Sequence, residues 1–420
     1  TDTRRGREDA LKVLIVINGL GTGGAERSLA EFLPALEDHD VVAAVAALHR
    51  RREGVEEAML DQKADVCFVA GRSTARRVVE LRRIITAWRP HLVHTTIFES
   101  DVVGRLAAMG GPPVLTSLVN TAYDPVRLAD PHVRPARLKL VRMVDGWTAR
   151  RLTTHFHAIS RTVKESAVAN LGVPANTITV IERGRNPARL GQRNKCRRAA
   201  VRAALGIPTD AEVVCNVGRQ EYQKGQRYLL EAMRMIAGRR PRLLLLVAGR
   251  RGHASAGLEA LTATPALHGR VRFLGHRDDV PDLLAAADLF AFPSLYEGLG
   301  GAVLEALGLG LPIVASDLPV LRETLEPGRT ALLVPAQSPR ELARAIEDLL
   351  DDPVKARAFG TRGIALFRDR FTSQRSTERM VRLYCSVATM RPKRPSGAPI
   401  ASSALSTWDG RSDVDRQVTG

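Results

Sequence analysis

The chain has 420 residues, is 45% hydrophobic, and carries 62 Lys and Arg against 45 Asp and Glu, a formal charge of +17. That size supports about two hydrophobic cores, and the positive excess attracts phosphate in any form: nucleotide, nucleic acid or anionic lipid. No apolar run reaches the roughly 18 residues of a spanning helix, the four cysteines contain no CxxC pair, and the opening "TDTRRGREDALKV" has no leader-like apolar core, so a cytoplasmic protein in a reducing compartment is expected.

In chain order, "KVLIVI", "DVVAAVAAL", "DVCFVA", "HLVHTT" and "PVLTSLV" read as strands separated by helical stretches. In the helical "TARRVVELRRIITAW", Val78, Leu81, Ile85 and Trp88 share one face and Arg76 and Arg83 the other. The first strand runs into Gly19-Leu20-Gly21-Thr22-Gly23-Gly24, which has the spacing of a dinucleotide-binding fingerprint. Such a fold needs an acidic residue about 20 positions further on for the ribose. Here the second strand ends in His49, Arg50, Arg51 and Arg52, and no hydride-transfer site follows, so NADP is disfavoured.

"RPARLKLVRMVDGWTARRL" mixes Leu138, Val141, Met143 and Trp147 with six basic residues from Arg134 to Arg151. It fits either an anionic membrane surface or packing on its own domain. His155 and His157 in "THFHAIS" share a strand face, but no third metal ligand is evident, so no metal is expected. The Arg-rich "ERGRNPARLGQRNKCRRAAVRAALGIP", Glu182–Pro208, reads as an interdomain linker entering a short helix.

The strand–helix alternation restarts with "AEVVCNVGR", "RLLLLVAGR", "VRFLGH", "ADLFAFPS", "LPIVAS" and "TALLVP". The expected fold class is therefore α/β: two doubly wound, Rossmann-like domains facing each other across a cleft. From Arg391 the sequence loses apolar periodicity and reads as a disordered tail.

The densest chemistry lies in "FAFPSLYEGLGGAVLEALGLGLPIVAS". Glu297 falls in a loop, Gly298, Gly300 and Gly301 allow close backbone approach, and Glu305 lies in the following helix. In "CNVGRQEYQKGQRYLLEAM", Arg219 and Lys224 bracket a strand-to-helix loop. Two cations there can hold a diphosphate without a metal and stabilise it as it departs. Glu305, among apolar neighbours, would be costly to bury unpaired and calls for a polar ligand.

These segments, with "VAGRRGH", "VRFLGHRDDVPDLLAAADLFAFPS", "LPIVASDLPVLRETL" and "GRTALLVPAQSPRELARAI", resemble the carboxyl-terminal half of the retaining family 4 glycosyltransferases, which have the GT-B fold. "NGLGTGGAERSLAEF" looks like that family's opening loop. The resemblance implies residues 1–188 as the acceptor-binding domain and 189–370 as the nucleotide-sugar-binding domain. It also implies a helix over 371–390 crossing back to the first domain, with the tail over 391–420.

Glu297, Arg219 and Lys224 would be catalytic. Glu305 would bind the donor ribose, Gly298, Leu299 and Gly300 the sugar and phosphates, and Gly275 and His276 the base, with Gly23 and Gly24 approaching from across the cleft. The donor would be a nucleotide diphosphate sugar, with no other cofactor. The acceptor would be a carbohydrate, lipid-linked or small-molecule hydroxyl, and no nucleic-acid partner is expected.

Where relatives carry a histidine after the strand "PVLTSLV", this chain has Asn120, which cannot accept a proton near neutral pH. Asn120, His94 and Glu99 are the acceptor-side candidates, the last two placed in the preceding loop. Competing readings are a GT-B scaffold that binds nucleotide without turnover, a nucleic-acid-binding protein suited to the charge, and an epimerase or phosphorylase on the same fold.

Overall fold

In the computed structural model, which describes residues 10–51 and 54–392, every apolar strand segment named above forms a strand of one of two parallel sheets. The first comprises β1 (Leu11–Gly19), β2 (Val41–His49), β3 (Asp65–Phe68), β4 (Leu92–Thr96), β5 (Val114–Leu118), β6 (His155–Ala158) and β7 (Ile178–Val180). Its order is β3-β2-β1-β4-β5-β6-β7. The second comprises β8 (Glu212–Val217), β9 (Leu243–Ala248), β10 (Val271–Gly275), β11 (Leu289–Phe292), β12 (Ile313–Ser316) and β13 (Ala331–Val334), in the order β10-β9-β8-β11-β12-β13.

Both orders reverse direction beside their first strand. A crevice therefore opens beyond the strands' carboxyl ends next to β1–β4 and β8–β11, where ligands of doubly wound sheets sit. Strands buried on both faces read as continuous apolar runs, and "LLLLVA" of β9, buried at all six positions, is one.

The chain crosses between the two halves twice, and the crossings lie side by side. Arg185 N donates to Phe371 O at 2.8 Å and Ser373 N to Arg185 O at 2.9 Å. The approach is close enough that a Cβ on Gly184 would lie 2.1 Å from Thr372 O. After the second crossing, helix Ser373–Ala388 buries Met380, Leu383, Tyr384 and Val387 against the first sheet.

The stretch read as a linker is structured. Helices Pro187–Leu190 and Lys195–Ala204 lie on the second half, held by Arg197–Asp282 at 2.7 Å and by Arg198–Asp288 and Arg202–Asp288 at 2.6 and 2.8 Å. Its arginines serve packing, a role that composition does not separate from a solvated loop. The tail expected to be disordered lies, from residue 393 onward, outside the described residues.

Candidate functional site

On the second half, the loop after β8 passes through a turn at Tyr222–Lys224 and Gly225 into helix Gln226–Ile236. The loop after β11 leads into helix Gly301–Gly308. The two loops are stapled together. Leu295 N donates to Gln223 O and Gln223 Nε2 to Tyr296 O, both at 2.8 Å. Gly225 has φ +61° and so near a neighbour that a Cβ would lie 2.0 Å from Pro293 O. No other residue fits there without moving the loop.

The staple delivers Lys224 Nζ to within 2.5 Å of Glu297 Oε1, with Glu297 only 9% exposed. Glu297 therefore sits in the loop, before the helix. Arg219 stands apart from this pair: half exposed, it faces Glu221 at 2.9 Å. Leu299 is buried behind the loop, and Gly298 and Gly300 lie along it.

Glu305 is not an unpaired carboxylate. Arg185, from the first crossing, donates through Nε to Glu305 Oε1 at 2.9 Å and reaches Ser28 Oγ of the first half at 3.4 Å. Its guanidinium lies over the start of helix Gly301–Gly308, where a Cβ on Gly301 would meet Arg185 Nη2 at 2.1 Å. Nothing in the spacing of "ERGRNPARL" separates this arginine from its neighbours, so sequence reasoning missed it.

Gly275, at φ +67°, ends β10, and His276 follows it. Arg27 crosses the cleft to them: its Nη2 lies 3.5 Å from His276 Nε2 and donates to Arg277 O at 3.2 Å. Arg27 belongs to helix Gly24–Glu37, whose start is the Gly23–Gly24 pair. A Cβ on Gly24 would meet nothing within 4 Å, so this backbone faces open space, whereas Glu26 folds back over Gly23.

Asn120 is exposed after β5 and borders a cavity of about 380 Å³ in the first half. The loop of Glu297 touches the same rim: a Cβ on Gly298 would lie 2.3 Å from Val119 O. The cavity floor is polar and largely self-satisfied. Arg105, fully buried, donates to Asp145 Oδ1 at 2.6 Å, and Tyr123 Oη donates to Asp145 Oδ2 at 2.7 Å. Burial raises the Asp101 carboxyl against the lowering pull of Arg105, with Asp145 adding to the rise. Arg127, Arg134 and Arg137 stand on the wall and make no ion pair among the described residues. Ile97, a β-branched residue at φ +76°, also borders the cavity and marks local backbone strain there.

The other two acceptor-side candidates need correction. Neither lies in a loop: His94 is in β4 and Glu99 in helix Phe98–Ala107. His94 is buried with both ring nitrogens engaged, 2.7 Å from Tyr384 Oη and 2.7 Å from Ser117 Oγ. Ser117 Oγ is in turn 2.8 Å from His157 Nδ1, and His157 Nε2 is 2.8 Å from Ile181 O. A carbonyl only accepts, so one direction satisfies the whole chain: Tyr384 to His94, His94 to Ser117, Ser117 to His157, His157 to Ile181 O. Both rings are neutral in that arrangement. Burial drives the His94 pKa down to about 3 and that of His157 to about 4. This network ties helix Ser373–Ala388 to the first sheet and has no nitrogen left for a ligand. Glu99 accepts from His49 Nε2 at 2.9 Å and from Arg77, which ties its carboxylate to the scaffold. His155 bonds Thr179 at 2.8 Å, and among the described residues no third ligand joins it and His157.

Two further cross-cleft contacts escaped the sequence. Ser160 Oγ donates to Gly298 O at 2.8 Å. Glu323 accepts from Arg161 N at 2.8 Å and Thr162 N at 2.7 Å, so a second-half carboxylate closes the start of a first-half helix, Arg161–Leu171.

Comparison with known proteins agrees with this layout. Residues 22–189 match the model for Glycosyltransferase Family 4, and residues 197–365 match that for Glycosyl transferases group 1. The chain is 29% identical over 283 residues to the 2-deoxystreptamine glucosyltransferase of Streptomyces kanamyceticus, covering 64% of this chain and 71% of that one. It is 32% identical over 211 residues to the D-inositol 3-phosphate glycosyltransferase of Corynebacterium urealyticum, covering 48% and 50%. Apart from the first, the chain spans about half the length of the leading curated relatives it matches. Among solved structures, Anabaena HepE in complex with UDP and glucose superposes with a TM-score of 0.78 at 23% identity, over 90% of this chain and 100% of that one. WaaG, a glycosyltransferase involved in lipopolysaccharide biosynthesis, does so with 0.72 at 16% identity, over 89% and 99%.

Proposed function

Because the chain belongs to the GT-B glycosyltransferases of family 4 and group 1, we propose that it moves a sugar from a nucleotide diphosphate sugar to an acceptor hydroxyl, with retention and without a metal ion. In this reading residues 189–370 bind the donor and residues 1–188 the acceptor. The carrying observation is the Lys224–Glu297 pair, fixed by two stapled strand-end loops at the rim of the first-half cavity.

Glu297 lies beside the donor sugar and Lys224 beside the diphosphate, with Arg219 swinging from Glu221 to join it. Charge that builds on the diphosphate as the sugar–phosphate bond breaks then meets the preplaced Lys224 and the recruited Arg219, which is electrostatic stabilisation aimed at the leaving group. Glu305 takes the ribose hydroxyls. The Gly298–Gly300 backbone and Gly275–His276 border the sugar and the base, and Gly23–Gly24 approaches the phosphates through the open space beside Gly24. Asn120 hydrogen-bonds the acceptor in the cavity. The acceptor is a saccharide, lipid-linked or small-molecule hydroxyl, met on the cytoplasmic side. Contact between the halves shields the donor from water, which would otherwise compete for it.

A calorimetric and thermal-shift screen against UDP, GDP, ADP, NADP and their sugar conjugates, without added metal, tests this. A ligand held at about 100 times its dissociation constant stabilises the fold by about 2.7 kcal/mol. Selective stabilisation by one nucleoside diphosphate and its sugar conjugate, lost in Glu305→Ala and weakened in Arg219→Ala, is expected. Stabilisation by NADP alone would overturn the reading.

A further inference from the structure

Helix Pro135–Leu152 has two working faces. Inward, Asp145, Thr148, Ala149 and Leu152 are buried and Val141 lines the cavity. Outward, Leu140, Met143, Val144 and Trp147 are 60, 60, 39 and 54% exposed. Their spacing of i, i+3, i+4 and i+7 stacks them in one stripe along the helix. The preceding turn, Pro125–Ala129, adds Val126 and Leu128, 41 and 51% exposed. Of the eleven large apolar side chains this exposed among the described residues, six fall between positions 126 and 147. Soluble surfaces scatter such residues singly, and a contiguous group marks an interaction site.

The charges beside the stripe identify what covers it. At about 100° per residue, Arg137 and Lys139 fall on opposite shoulders and Arg151 continues the line at the carboxyl end. All three are exposed and have no acidic partner among the described residues. The helix's single acidic residue, Asp145, is buried under Arg105 and Tyr123. An apolar stripe with Trp and Met at its centre and unpaired cations on both sides matches an interface of acyl chains beneath anionic headgroups. A protein partner would have to bring acidic groups to both shoulders of a dry stripe, whereas an anionic bilayer supplies them everywhere.

We propose that this face docks the protein on an anionic lipid bilayer, with Leu140, Met143 and Trp147 inserted at the headgroup boundary. The docking rests on the surface alone, not on the transfer reading. If both hold, the cavity walled by the same helix opens close to the lipid surface, and the acceptor is drawn from the bilayer.

Sedimentation with phosphatidylcholine vesicles, with and without about 30% phosphatidylglycerol, at low salt and at several times that concentration, reads the docking directly. The protein is expected to pellet with the anionic vesicles, less so at high salt. Met143→Ser/Trp147→Ser should weaken this at least tenfold, Lys139→Ser/Arg151→Ser about tenfold with a flatter salt dependence, and Trp147→Phe should retain it. Urea unfolding followed by circular dichroism reports an intact fold for each variant without any ligand, and keeps failure here separate from failure of the transfer reading. Absence of anionic-vesicle binding, binding indifferent to both double variants, or a concentration-dependent dimer abolished by Met143→Ser/Trp147→Ser in a chain that ignores vesicles would each overturn the proposal.

Discussion

Across the cleft, the loops after β8 and β11 meet side chain to side chain, whereas those after β4 and β5 stand around open space. On the second half, a glycine without room for a methyl group and two backbone-directed hydrogen bonds lock Lys224 onto Glu297. On the first half, about 380 Å³ is ringed by Asn120 and arginines that make no ion pair among the described residues, while the buried polar groups below bond chiefly to one another. The difference teaches a division of labour. A preorganised wall suits a ligand part whose charge changes during reaction, because its dipoles need not reorient. An open wall suits a ligand recognised by shape and hydrogen bonding.

The largest effect should come from breaking the rigid wall. Glu297→Gln is expected to lower turnover about 10²- to 10³-fold, the usual loss for a preplaced charge at a reacting centre, while donor binding by calorimetry changes much less. Equal turnover in the variant would make the Lys224–Glu297 pair a structural staple alone.

Next comes Glu305, proposed to take the ribose. Glu305→Ala should weaken donor binding about 10- to 100-fold, since hydrogen bonds to charged groups contribute about 1.5–3 kcal/mol. Arg185 holds that carboxylate and also touches Ser28, so it acts as a positioning residue. Arg185→Ala should cost about tenfold, and the double variant no more than Glu305→Ala alone, because the two act as one unit. Additive losses in that cycle would mean that Arg185 contacts the donor independently.

These two walls were unequally legible in the sequence. Glu297, Glu305, Arg219 and Lys224 stand within short strand–loop–helix segments, where spacing alone limits where a side chain can go. Arg185, Ser160, Glu323 and Tyr384 act across 120 or more positions: Arg185 to Glu305, Ser160 to Gly298, Tyr384 to His94. No local period encodes such pairs. His94 misled for the related reason that a histidine within a strand looks the same whether it faces a cleft or a tyrosine from a remote helix. The strands themselves were readable because strands buried on both faces are written as unbroken Val, Leu and Ala. β7, only three residues long, carried too little of that signal to be read.

The buried histidines give the first half a pH response of its own. Their native pKa values, about 3 for His94 and about 4 for His157, lie below the ordinary 6.5. Between those limits the unfolded chain binds protons that the native state refuses. Stability is therefore full above pH 6.5 and is lost as pH falls, by about 1.4 kcal/mol per unit for each histidine. Asp101 has the opposite sign: its native pKa is raised above 3.8, so it favours folding more as pH falls toward that value and offsets one histidine. From His94, His157 and Asp101 together, the expectation is a loss of about 1.4 kcal/mol per unit from pH 6 to pH 5, measured by urea unfolding. His157→Gln should nearly flatten it, and an unchanged slope would mean that these rings are charged in the native protein.

The smallest effect probes the joint between the two walls. The Glu323 carboxylate accepts from the amides of Arg161 and Thr162, and Ser160 Oγ accepts from Val163 N at 3.1 Å, so the first three amides of helix Arg161–Leu171 are closed, two of them from the other half. Such a cap contributes about 1 kcal/mol, and the helix's positive end favours the charge. Ser160 also donates to Gly298 O, beside Glu297, so this helix start and the Glu297 loop share one contact surface. Glu323→Ala should therefore speed amide exchange at Arg161 and Thr162 about fivefold, the equivalent of that energy, while Val163, closed within its own half, keeps its protection. If the halves move as one body, turnover will fall by a similar small factor. If exchange rises and turnover does not, the joint is a cap on the first half alone, and the rigid wall holds Glu297 without help from across the cleft.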